Sequence, residues 1–191
     1  MKNNIKQLVI QKTTKLIYQK GIRSTSINEI LAETGISKGS LYFHFKNKKD
    51  IIDTVLKNER AKFLIFFENS LKGNNSYEKL LSFLDSLYEL QYKSNFTGGC
   101  IYANTAIEFA EEQNELTIFA ISSLDEWIAK IEELIQNAQN ENHIRKDLSA
   151  HMIAEQTIAT IEGGILLSRT KKSPVPLSNS MKILKQTLLS K

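Results

Sequence analysis

A chain of 191 residues, 41% hydrophobic and 24% charged, has the apolar material for one ordinary domain or a small module joined to a larger one. Its single cysteine, Cys100, excludes an intramolecular disulfide and a four-cysteine zinc site, and its three histidines lack metal-ligand spacing. The net charge of +4 is unevenly spread: residues 1–60 hold 12 Lys and Arg against 5 Asp and Glu, and residues 61–191 hold 13 against 16.

A basic N-terminal unit ahead of a mildly acidic remainder is the pattern of a nucleic-acid reader attached to a separate body. No apolar run approaches the ~20 residues that span a membrane, and the lysine-bearing N-terminus lacks a signal-type apolar core. The expectation is a cytoplasmic chain without a membrane partner.

The elements read as successive helices. Ile5, Leu8, Val9, Leu16 and Ile17 recur at helical spacing until Gly21. Ser26 stands three residues before Glu29, a capping-box spacing, and opens a short helix through Ile27, Ile30 and Leu31 that Gly35 ends. Ser37 caps a third helix with Leu41 and Phe45 as core candidates. Asn47 and Asp50 repeat the cap spacing ahead of a long fourth helix through Phe63 and Phe67.

Short helix, glycine turn and short helix in a basic segment match a helix-turn-helix, whose second helix enters the major groove. Here that helix starts Ser37-Lys38-Gly39-Ser40: small side chains admit close approach of the backbone, and Lys38 has the reach and donors for guanine. Tyr42, His44, Lys46 and Lys48 suit the phosphate backbone, where they position rather than specify. The free amides of a helix beginning at Asn47 add to the same contact. A generic helical hairpin shares many of these features, so local residues leave both readings open.

The stretch GISKGSLYFHFKNKKD, within Thr25–Asp50, resembles the DNA-binding domain of the tetracycline-repressor (TetR/AcrR) family. The resemblance is strong over about residues 5–56. It implies an all-α homodimer with an N-terminal three-helix DNA-binding domain, residues 1–46, and a C-terminal helical ligand-binding and dimerisation domain, residues 47–191, linked by the fourth helix. It also implies transcriptional repression relieved by a small organic effector. By this resemblance Thr25 and Ser26 contact the DNA backbone and Asn28 lies near the groove. Ser37, Lys38 and Gly39 face bases, while Tyr42, His44 and Lys48 take phosphate. Phe43 reads as core support for the reading head, and Ile51 replaces a common leucine.

Beyond the break at Gly73–Ser76, Leu80, Leu81, Leu84, Leu87 and Tyr88 mark another helix. After Lys93–Gly99, the pattern GC-x-x-x-N-x-x-x-E resembles a segment of one subset of the family. Its Asn104 and Glu108 share a helix face, where binding to each other, to a polar ligand or into a buried structural network are all open. Leu116 to Ile135 continue the helical body. An apolar effector pocket would draw on Phe63, Phe67, Tyr88, Cys100 and Trp127, with Asn104 and Glu108 as polar anchors; ordinary core packing competes for each aromatic. Asp147 begins a run through Met152, Ile153, Ile158, Ile161, Ile165, Leu166 and Leu167. Residues 169–176 break it before a last helix through Leu177, Met181, Leu184 and Leu188. These last two helices, within residues 150–189, are the expected homodimer interface. No phosphate-binding loop, dinucleotide fingerprint or nucleophile elbow occurs, so no catalytic residue, cofactor or metal site is predicted. A small helical enzyme and a helical interaction protein without DNA recognition are the competing classes. Double-stranded DNA is the expected partner.

Overall fold

Local hydrogen bonds set the helix ends. The computed structural model describes residues 2–112 and 114–187. Among them the regular elements are nine α-helices: α1 (Lys2–Lys20), α2 (Ile27–Thr34), α3 (Lys38–His44), α4 (Lys48–Ser70), α5 (Ser76–Lys93), α6 (Ile101–Glu108), α7 (Glu115–Asn140), α8 (Ala150–Lys171) and α9 (Val175–Thr187). The fold is all-α, with a helix-turn-helix arrangement at the N-terminus and a C-terminal helical bundle.

Gly21 ends α1 at φ +85°, donating its N–H to Ile17 O at 2.9 Å. Ser26 caps α2 through a full capping box with Glu29, and Gly35 closes that helix in the left-handed region. The Ser37 hydroxyl accepts the Ser40 N–H at 3.2 Å to start α3. At α4, Asn47 Oδ1 accepts the Asp50 N–H and the Asp50 carboxylate accepts the Lys46 N–H, both at 2.9 Å.

The chain forms two compact units. The first comprises the residues up to Phe63 together with Ile101–Ala120. Its three-helix part closes over Val9, Leu16, Ile30, Leu41, Phe45 and Ile51, all buried, as the apolar spacing predicts. Each such side chain taken from water stabilises the unit by about 1.5–3 kcal/mol. In the same unit, buried Tyr102 on α6 donates its hydroxyl to Leu56 O of α4 at 3.1 Å.

The second unit comprises Leu64–Cys100 and the residues from Ile121 onward. Its interior is built from Leu80, Phe83 and Leu84 of α5, Ile131 and Ile135 of α7, Ile153, Ile161 and Ile165 of α8, and Leu177, Met181 and Leu184 of α9. Here α8 and α9 lie close together. A Cβ on Gly164 would stand 2.9 Å from Leu177 Cδ1, so glycine is what permits the approach. Leu177 N–H donates to the buried Ser168 hydroxyl at 2.9 Å.

The helix ends of this unit depart from the expected ones. Asp147 does not open α8: it pairs with Arg145, 2.6 Å from its Nε, and Ser149 caps the helix instead. The break expected over 169–176 is much shorter, because α8 runs on to Lys171 and Lys172 turns left-handed at φ 51°. Pro176 sits in the first turn of α9, where its missing N–H costs nothing. Leu188 and the rest of the expected interface beyond residue 187 lie outside the described residues.

Candidate nucleic-acid interface

The start of α3 is open. Ser37, Lys38 and Gly39 are exposed at its N-terminal turn, and a Cβ on Gly39 would meet nothing within 4 Å. The buried residues Leu41 and Phe45 anchor the helix from behind, so the turn is held rigidly while its outer surface stays bare. Asn28 and Ser26 are exposed on α2 and its cap. Tyr42 is 43% exposed and Lys46 is exposed, while His44 is half-buried. Exposed donors, a cationic arm and an accessible backbone are the equipment for reading duplex DNA.

Three residues take places the sequence did not suggest. Phe43 is no core support: it is 68% exposed, with its ring edge-on to His44 at 5.2 Å between centroids. Helical spacing puts Leu41 and Phe45 on the inner side, which turns position 43 outward. Thr25 is fully buried and donates its hydroxyl to Gly21 O at 2.7 Å, so it braces the turn after α1 rather than reaching outward. The Lys48 ammonium donates to Ile22 O at 2.9 Å and to Arg23 O at 3.4 Å. Desolvation lowers its pKa from the ordinary lysine value, opposed by the nearby charge of Glu108.

Glu108 has a structural role whose partners the sequence did not reveal. Its carboxylate accepts the Ile22 N–H at 2.9 Å and the Arg23 N–H at 2.6 Å. Both oxygens are thereby engaged on the turn between α1 and α2. Arg23 answers with its Nε to Glu108 O at 3.2 Å, an ion pair to Glu112 and a guanidinium 4.6 Å from the Phe109 ring centroid. The spacing of Asn104 and Glu108 on one helix face concealed this, because the true partner is 86 residues away.

The other proposed pocket residues are divided between the units. Phe63 and Asn104, both half-buried, belong to the first; Phe67, Tyr88, Cys100 and Trp127 belong to the second. Phe67 is buried with its ring 4.9 Å from Phe83, and Tyr88 stacks on Tyr92. Cys100 is buried beside Glu162, whose carboxyl burial pushes up to about 6 while the thiol hydrogen bond opposes the shift. An open groove of about 710 Å³ in the second unit is lined by Phe66, Leu81, Leu90 and the acidic Glu78, Asp85 and Glu89 among others, and by none of the proposed seven. Among the described residues no group of three or more His, Cys, Asp or Glu is placed to hold a metal ion, and no helix is long and apolar enough to cross a membrane.

Comparison with known proteins bears on the same surfaces. The family profile described as bacterial regulatory proteins, tetR family, matches residues 9–55, and the one described as tetracyclin repressor-like, C-terminal domain, matches residues 76–184. An HTH-type transcriptional regulator in the lacX 3′ region of Lactococcus lactis subsp. lactis is 29% identical, covering 95% of this chain and 92% of its own. The HTH-type transcriptional repressor DhaR of Mycobacterium sp. (strain GP1) is 21% identical over 97% of this chain and 92% of its own. Among solved structures, a TetR transcriptional regulator from Chloroflexus aurantiacus J-10-fl superposes with a TM-score of 0.89 at 26% identity, over 99% of this chain and 98% of that one.

Proposed function

Because this chain belongs to the TetR family and is a sequence-specific DNA-binding transcriptional regulator, we propose that it is a ligand-responsive repressor. It acts as a homodimer on a palindromic operator, one reading head per half-site. Residues 1–46 form the DNA-binding domain and residues 47–191 the effector and dimerisation domain, with α4 joining them. The observation that carries the reading is the bare N-terminal turn of α3, where Lys38 and Gly39 stand exposed on a buried Leu41–Phe45 anchor. The repressive sign is supported by the similarity to DhaR, named a transcriptional repressor.

Dimerisation through the last two helices is supported by apolar side chains left in the open on a protomer: Met152, Leu166 and Leu167 on α8, Val175 and Ile183 on α9. The effector is a small organic molecule bound by the C-terminal helical domain, with no cofactor or metal. Selection from randomised duplex DNA yields the operator. On it Lys38→Ala lowers operator preference. Removing the exposed, phosphate-facing lysine in Lys46→Ala weakens specific and nonspecific binding alike, and the salt slope falls by about 0.9 for the phosphate no longer neutralised. Equal affinity for the selected duplex and a scrambled one would sink the reading.

A further inference from the structure

The three N-terminal helices have their own caps and their own buried cluster. Their ends are closed by Ser26, Gly35 and Ser37, and their interior by Val9, Leu16, Ile30, Leu41, Phe45 and Ile51. Glu108 is foreign to that set, yet both its carboxylate oxygens are fastened to the turn after α1, at Ile22 N and Arg23 N. One hydrogen bond leaves a pivot; two to adjacent amides fix a direction as well as a distance.

The turn is held from its other side too. Lys48, at the start of α4, donates to the carbonyls of the same two residues, Ile22 and Arg23. Lys49 beside it lies 2.7 Å from the Glu115 carboxylate at the start of α7. The turn is therefore gripped at its N–H groups from α6 and at its C=O groups from α4. Gly21 completes the fit. It adopts φ +85°, and a Cβ there would come within 2.9 Å of Glu108 Oε2. A side chain there would be strained by the backbone conformation and would crowd the carboxylate.

We propose that Glu108 is a positioning residue for operator reading, its grip on the Ile22 and Arg23 amides setting the direction in which each reading head presents α3. The inference rests on the dimeric-operator reading above. It concerns how two heads are aimed at two half-sites, and not what each head touches. Contacts to single phosphates tolerate a swinging head; simultaneous seating on both half-sites at one spacing does not.

The test uses the intact protein and a duplex series carrying the selected half-sites with the separation changed by one or two base pairs in each direction. Wild type has a sharp preference for one separation. Glu108→Ala, shown folded by circular dichroism and assayed well below its melting temperature, loses that preference. Its affinity for the optimal operator falls roughly tenfold, as expected when charge-assisted bonds are removed, while scrambled duplex binds within about twofold of wild type. Glu108→Gln retains one acceptor and falls between, which keeps the comparison available if the alanine variant unfolds. A folded Glu108→Gln or Glu108→Ala with an undiminished spacing preference overturns the positioning role. So does a parallel loss of operator and scrambled-duplex affinity, the mark of a merely structural residue. A wild type with no spacing preference overturns the dimeric reading itself, and is recognised before any variant is compared.

Discussion

At Gly39 a methyl group would meet no atom of the protein within 4 Å, so packing offers no reason for glycine there. Replacing it with alanine inside a helix stabilises by about 0.5–1 kcal/mol, through backbone entropy. Gly39→Ala is therefore expected to raise the denaturant midpoint while weakening operator binding, because the added methyl stands where duplex DNA must approach; titrating both properties on one preparation checks the opposition. Glu29 makes a separate statement about pH. The Lys20 ammonium, with the Ser26 N–H and hydroxyl, holds its carboxyl down to about 2, against an ordinary 4.5. A folded pKa below the unfolded one gives stability that is present above about pH 4.5 and lost as pH falls toward 2. Urea unfolding between pH 2 and 6 should show a shallower acid decline in Glu29→Gln than in wild type. Residues such as Ser26, Gly35 and Ser37 were legible in the sequence because a cap acts over three positions. Phe43, Thr25 and Glu108 were not, because exposure and distant partners depend on which face of the helix the tertiary core claims.

The adjacent glycines of α8 separate two surfaces of one helix. Gly164 faces α9, where a Cβ would lie 2.9 Å from Leu177 Cδ1 and 3.1 Å from Leu177 Cα; Gly163 faces open space. Gly164→Ala should destabilise by about 1–3 kcal/mol through overpacking, whereas Gly163→Ala should stabilise by about 0.5–1 kcal/mol. Denaturant unfolding in a Leu166→Glu background, where association does not enter, ranks the two; a reversed order would show that α8 and α9 do not meet at Gly164. The apolar periodicity of both helices was legible in the sequence. Their junction was not: a lysine and proline run reads as a break, yet lysines extend the last turn of α8 and Pro176 fits the first turn of α9.

For the whole molecule, the exposed apolar side chains of α8 make association the expected state. Leu166, 59% exposed, is the probe. Leu166→Glu leaves the protomer core untouched and puts a charge on the apolar face through which dimerisation is proposed. Sedimentation should then report the 21.8 kDa protomer, with operator affinity abolished and scrambled-duplex binding retained; a variant that still sediments at twice that mass would place the interface elsewhere. The all-helical class and the basic reading head were legible from charge and motif, since both follow from local composition. The membership of Ile101–Ala120 in the same compact unit as the N-terminal helices was not, since it rests on hydrogen bonds spanning 86 residues. That membership bears on recombination. Residues 1–46 of this chain, grafted onto another body, would carry the Ile22 and Arg23 amides away from the Glu108 carboxylate that accepts from them. The compact unit that carries the reading head is therefore encoded by two separate stretches of the gene.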